Sequence, residues 1–236
     1  VHLKVLGDVT VEEGASIDAD SKGHKANKGP SSANTNCESA GYAGYGHGNH
    51  APYGSILRPT DWGSSGNYSS AGGAVHLVVG GTLTVNGAVS ADCSNYDSAY
   101  ASSGGSVWIE CAAIVGTGRV SAHEGESDRV KGSRALCDCA SSGGRIAVYQ
   151  RVAKDFSAFP VTRMSTVRNG RNATGTIYLE GASMSAGANL YIVTEMPGAI
   201  NHKHYTRFPM ADDGDPAKAF LNVSKVATGE ENGVRL

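Results

Sequence analysis

Three aspartates, Asp18, Asp20 and Asp92, and two arginines, Arg119 and Arg145, are the residues whose types could cut a polysaccharide. Glycoside hydrolysis needs two carboxylates roughly 5 to 9 Å apart, and a lyase adds a basic residue. Asp20 and Asp92 close two similar segments, Ser16-Ile17-Asp18-Ala19-Asp20 and Ala88-Val89-Ser90-Ala91-Asp92. The next copy, Arg119-Val120-Ser121-Ala122-His123, has a histidine in that place, so the carboxylate ladder is broken. Aspartate at a strand end before a loop is a turn residue by chemistry. No catalytic residue is therefore assigned, and the expectation is a protein that is not an enzyme.

Metal and thiol chemistry fare no better. His47-Gly48-Asn49-His50 and His202-Lys203-His204 are short pairs in polar loops with no aspartate or cysteine at ligand spacing. Neither metal nor cofactor is expected. Of five cysteines, Cys111 lies in an apolar run and reads as a core residue, whereas Cys37, Cys93, Cys137 and Cys139 lie in Gly/Ser-rich stretches and are disulfide candidates. With the sequons at Asn67, Asn172 and Asn222 as glycosylation candidates, they point to an extracellular or cell-surface setting. Tyr42, Tyr45, Tyr53, Trp62, Tyr68, Tyr96 and Tyr100 crowd two loop stretches and are the candidates for ligand binding, with glycans as the possible ligand. The alternative reading of these rings is a small core of their own, completed by Ile56 and Leu57, and it is favoured here.

The elements that position these residues follow from composition and repetition. The 236 residues hold 32 glycines and only 18% charged residues, with a net charge of −2. So much glycine is incompatible with a helix bundle. Without a strict period of three it is not collagen either. A balanced charge with no basic run argues against nucleic acid, and no apolar run approaches the ~18 residues of a membrane helix. The chain opens on a strand-like segment, Val1-His2-Leu3-Lys4-Val5, and reads as a mature product or a piece of something longer.

Gly72-Gly73-Ala74-Val75-His76-Leu77-Val78-Val79 recurs as Gly104-Gly105-Ser106-Val107-Trp108-Ile109-Glu110-Cys111 and as Gly143-Gly144-Arg145-Ile146-Ala147-Val148-Tyr149, with a weaker copy at Thr174-Gly175-Thr176-Ile177-Tyr178-Leu179. The period is 31 to 39 residues. Downstream, Leu83 to Asp92 matches Ile114 to His123, and Val9 to Asp20 is a further copy. Within each unit apolar residues alternate, the mark of strands with one buried face, with His76, Thr82, Thr84 and Ser90 facing outward. A single unit cannot bury its own stripe, so units must stack, Val75 against Val107 and Leu77 against Ile109. The glycines then mark corners that need a positive φ or a close approach of backbones. Leftover chain forms excursions at 21–71, 93–103 and 125–142, all leaving from one corner.

These runs, with Thr82-Leu83-Thr84-Val85-Asn86-Gly87 and Tyr53-Gly54-Ser55 followed by Pro59-Thr60-Asp61, resemble the glycine-rich parallel β-solenoid repeats of large secreted or cell-surface proteins of bacteria and protists. The expected fold is all-β, a right-handed parallel β-helix of about five coils over residues 1–192, with the insertion 21–71 on one flank. Residues 193–236 are expected to continue irregularly, Ala219-Phe220-Leu221-Asn222-Val223 starting one further coil. The resemblance implies a structural or adhesive module that joins further coils of the same polypeptide or neighbouring subunits. The alternative is a carbohydrate-binding or polysaccharide-degrading protein of the same architecture.

Overall fold

The computed structural model describes residues 1–33, 38–46, 48, 50–67, 69–93, 101–125, 141–168, 173–182 and 189–195. Among them the only helix with named bounds is a single 3-10 turn at Val161–Arg163; the rest is strand, turn and extended backbone. The molecule is all-β, as the alternating pattern requires.

Three sheets divide the strands between them. The six-stranded sheet runs β1 (His2–Val5), β4 (Ala74–Val79), β7 (Ser106–Cys111), β10 (Arg145–Gln150), β12 (Ala173–Glu180) and β13 (Asn189–Glu195), in that spatial order. A three-stranded sheet holds β2 (Val9–Val11), β5 (Thr82–Val85) and β8 (Ala113–Val115). A four-stranded sheet holds β3 (Ser16–Asp18), β6 (Ala88–Ser90), β9 (Arg119–Ser121) and β11 (Met164–Ser165). From β1 to β10 the chain visits the sheets in a fixed order, first the six-stranded, then the three-stranded, then the four-stranded. One such pass is a rung, and the strands from β1 to β12 pair in parallel with their counterparts in neighbouring rungs.

Register follows the sequence repeat. Val75 pairs with Val107, Val107 with Ile146 and Ile146 with Ile177, while Leu77 pairs with Ile109. These inward side chains merge with Leu83, Val85, Val89, Ile114 and Val120 into one buried core. Each fully buried aliphatic side chain contributes about 1.5–3 kcal/mol by leaving water. Cys111 belongs to this core, fully buried, and burial pushes its thiol up to about 12.

The paired glycines stack backbone on backbone. A methyl group on Gly105 would stand 2.0 Å from the Gly73 carbonyl oxygen, and one on Gly144 would stand 2.3 Å from that of Gly105. Close approach, rather than positive φ, is the reason for these glycines. Gly116 is the other kind, with φ of 122° at a turn.

Three expectations need correction. Ser90 is buried rather than outward, because Asp20 lies over it in hydrogen-bonding contact. In the fourth rung no strand joins the three-stranded sheet; Phe156 and Phe159 enter the buried core, the N–H groups of residues 151–153 bond to the Cys111 and Ala112 carbonyls, and the Gln150 side chain bonds to β8. Its Oε1 accepts the N–H of Ile114 at 2.8 Å and its Nε2 donates to the Asp155 carbonyl at 2.7 Å, so one side-chain amide substitutes for a peptide group. Lastly, β13 pairs antiparallel with β12, so the parallel pattern ends before residue 192. Residues 196–236, with the Ala219–Val223 segment, lie outside the described residues.

Candidate functional site

The aspartates expected at strand ends form a ladder, and its chemistry is structural. Asp92 donates its backbone N–H to Asp20 Oδ1 at 2.7 Å, and His123 donates its own to Asp92 Oδ1 at 2.8 Å. Each carboxylate thus holds the equivalent residue of the next rung where the regular pairing runs out. Asp92 Oδ2 also accepts from the Ser121 hydroxyl at 3.0 Å and lies 3.3 Å from His123 Nδ1. Burial alone would raise the Asp92 pKa, but the His123 ring, its charge and its N–H outweigh it and hold the carboxyl below its usual range. Asp20 is raised, because burial there exceeds the help from the Asp92 N–H. Asp18 is exposed at the end of β3 and accepts from the Ser16 hydroxyl at 2.9 Å.

The two arginines lie away from this ladder. Arg119 starts β9, aligned with Ala88, and lines a shallow open groove with Glu13, Asn86 and Thr117. Arg145 is 1% exposed and acts as a clamp. Its guanidinium donates to the Tyr53 carbonyl at 2.9 Å, to the Tyr42 carbonyl at 3.3 Å and to Thr176 Oγ1 at 3.4 Å, and it lies 5.3 Å from the Tyr42 ring centre. Buried cations persist when carbonyl and ring partners replace water.

Tyr42 and Tyr53 belong to the insertion's own core rather than to a binding surface. Tyr42 is fully buried with Ile56, and its ring centre is 4.8 Å from that of Tyr53. Ser106 donates its hydroxyl to the Asp61 carbonyl at 2.6 Å, so Tyr42 donates to Ser106 Oγ at 2.5 Å. Burial pushes the Tyr42 phenol up to about 12. Tyr53 donates to the Trp62 carbonyl at 2.6 Å, and Tyr149 of β10 donates to the Leu57 carbonyl at 2.7 Å. The insertion is thereby fastened to the outer face of the six-stranded sheet. Tyr45 is half-buried, while Trp62 is 50% exposed and meets His24 edge-on at 5.5 Å. Tyr68, Tyr96, Tyr100, Cys37, Cys137, Cys139, Asn172 and Asn222 lie outside the described residues. Asn67 is half-buried and accepts from Asn27 at 2.8 Å. Cys93 is a buried thiol donating to the Ser70 carbonyl at 3.2 Å, and burial pushes it up to about 12.

Two groups had no warning in the residue pattern. Ser64, Ser65, Ser102, Ser103, Ser141 and Ser142 are all fully buried. They tie the described ends of the three excursions together: Ser141 donates to the Ser102 carbonyl, Ser103 to the Ser64 carbonyl, and Ser102 Oγ accepts from the Gly66 N–H. Ser102-Ser103 and Ser141-Ser142 each precede Gly-Gly, a recurrence that hints at a shared place, whereas Ser64-Ser65 precedes a single glycine. Glu124, the rung partner of Cys93 by the same offset, is 1% exposed. Its Oε1 accepts the Arg168 N–H at 2.9 Å, Oε2 has no hydrogen-bond partner, and burial raises the carboxyl to about 7.

On the outer face of the six-stranded sheet, His76 stacks on Trp108 with ring centres 3.9 Å apart and planes 4° from parallel. His2 meets His76 edge-on at 4.7 Å, and His76 Nε2 lies 3.1 Å from Glu110 Oε1. Stacking between strands covers a face of each ring, so this column ties rungs to one another. Among the described residues no group of three or more His, Cys, Asp or Glu side chains is placed to hold a metal, and no helix is long and apolar enough to cross a membrane. No family model matches the chain, and neither a curated protein nor a solved structure matches it.

Proposed function

We propose that the chain is a right-handed parallel β-solenoid module of about five coils, extracellular, with a structural or adhesive role in a larger surface protein or assembly. The observation that carries this reading is the register itself. Counterpart residues pair rung after rung in the three sheets, as in Ala88 with Arg119 and Ala74 with Ser106. Such a stack transmits load through backbone ladders along its length and presents side chains at regular intervals. The use of its polar groups is in keeping: Asp20 and Asp92 hold backbone N–H groups, and Arg145 holds carbonyls. Antibodies against the chain should label intact cells of its source as strongly as permeabilised ones. Labelling only after permeabilisation would refute the surface assignment.

A second reading, carbohydrate recognition, is favoured by the half-exposed Trp62 ring on a loop fastened to a rigid sheet. A glycan array should then give hits that disappear with Trp62→Ala; an array without hits removes this reading.

A further inference from the structure

Among the described residues of the insertion, Trp62 has the most open ring, at 50% exposure, whereas Tyr42 is fully buried. His24 meets the indole edge-on at 5.5 Å. The brace is itself fixed: the His24 N–H donates to the Gly63 carbonyl at 3.4 Å, and its carbonyl accepts the Ala71 N–H at 3.0 Å. An indole held this way offers a flat apolar face with a polar N–H at its edge, the kind of surface on which a sugar ring stacks.

The segment that braces Trp62 is basic. Residues 21–33 hold Lys22, Lys25 and Lys28 and no acid, and residues 62–71, along which they lie, hold no charged residue. Backbone bonds from Gly23 to Ala71, from Asn27 to Gly66 and from Ser65 to Lys28 fasten the two segments, and Asn27 Nδ2 donates to Asn67 Oδ1 at 2.8 Å. The Lys28 N–H closes a turn on the Lys25 carbonyl at 3.0 Å, with Asn27 at φ of 60°, so both lysines leave one tight turn. All three lysines are exposed, and none has an ion-pair partner among the described residues. The nearest acids in the chain are turned elsewhere. Asp20 Oδ1 accepts the Asp92 N–H, and Asp61 Oδ2 would stand 2.6 Å from a methyl group on Gly54. Exposed cations with no counter-charge beside them attract anions to the face that carries the ring.

We propose that Trp62 with Lys22, Lys25 and Lys28 binds an acidic glycan, the indole taking the apolar face of one sugar and the ammonium groups meeting carboxylates of that sugar and its neighbours. The inference rests on the carbohydrate reading of Trp62 given above and adds the charge of the ligand. A single open ring suits one sugar face, whereas a single-stranded nucleic acid calls for a series of rings under successive bases. Lysine is a point charge on a flexible stem, which tolerates carboxylates at varied spacing better than a fixed guanidinium fork does.

An array carrying oligogalacturonate and hyaluronan, the methyl esters of both, neutral oligosaccharides and single-stranded DNA tests this. The acids and their esters share sugars and differ in charge. At low salt the acids should bind about tenfold or more tighter than the esters, and the advantage should shrink as salt is added. Trp62→Ala should weaken binding to acid and ester alike by about tenfold, whereas Lys22→Ala with Lys25→Ala should weaken the acids alone. Lys4→Ala with Arg119→Ala removes the same charge elsewhere and should bind like the parent. All five replaced residues are exposed, so folding is spared. Hits confined to neutral sugars, or equal binding of acids and esters that disappears with Trp62→Ala, would overturn the acidic assignment and leave carbohydrate recognition standing. An array with no hits would remove both. DNA bound as tightly as the acids, or equal losses in the two double-lysine and lysine-arginine variants, would overturn the proposal in favour of unspecific attraction of polyanions.

Discussion

The first rung and the fourth rung cover their share of the core in different ways. In the first, Leu3 stands in the column of Leu77 and Ile109 but is 37% exposed, and β1, β2 and β3 each pair with one strand among the described residues. In the fourth, no strand follows β8 in the three-stranded sheet; Phe156 and Phe159 join the core, and the Gln150 amide accepts the N–H of Ile114. The first rung leaves apolar groups less covered; the fourth uses side chains where the three-stranded sheet lacks a strand. The lesson is that where a repeat of identical pairings is interrupted within the chain, the side chains that break the repeat mark the place.

The contrast can be attacked directly. The largest expected effect is Phe159→Ala, which opens a fully buried cavity and should destabilise by about 4 kcal/mol in denaturant unfolding, whereas Leu3→Ala should change stability by less than about 1 kcal/mol. Equal effects would erase the distinction between the two rungs. Next is the carboxylate between the third and fourth rungs. Because burial raises Glu124 to about 7, the folded chain holds that proton more tightly than the unfolded one, and stability falls as pH climbs from the ordinary glutamate range to about 7. Glu124→Gln should remove that fall, a gain on the order of 3 kcal/mol above pH 7. A pH profile identical to the parent's would show the group to be solvated. Asp92 has the opposite sign: its lowered pKa supports stability above the usual aspartate range, and that support is lost as pH drops through its own pKa. Gln150→Ala leaves a buried N–H unpaired and should cost roughly 1–3 kcal/mol, with faster exchange of the Ile114 amide. The smallest effect belongs to the first rung: in this chain β2, paired with one strand, should exchange faster than β5, which is bonded on both sides.

Legibility in the amino-acid sequence divides along the same line. Where the chain repeats, pattern sufficed: Val75, Val107 and Ile146 align as the Gly-Gly copies require, and Cys111 sits in the core because a valine occupies its place in the preceding copy. The Asp20, Asp92 and His123 series was visible as an interrupted ladder, and the interruption proved to matter little, since His123 receives the carboxylate through its backbone. What could not be read depends on residues far apart in sequence. Arg145 looked like a candidate base until carbonyls some ninety to a hundred residues earlier were found around it. The serine layer and the partly satisfied Glu124 arise from excursions meeting in space, for which no local periodicity exists. The return of β13 against β12 breaks a rule that everything before it obeys.

The Arg145 clamp carries a consequence for the order in which the chain folds. From the second rung onward neighbouring rungs pair over about thirty to forty residues and can add one after another as the polypeptide emerges, whereas the first and second pair across the insertion. The insertion is synthesised between the first and second rungs; Tyr42 meets Ser106 of β7, while the Arg145 clamp on the Tyr42 and Tyr53 carbonyls and the bond from Gly44 to Ser142 need the chain to have reached β10. Loop closure over that span comes after the intervening rungs exist. The insertion is therefore seated in two stages, on Ser106 of β7 and later under Arg145 of β10, although it precedes both strands in the chain.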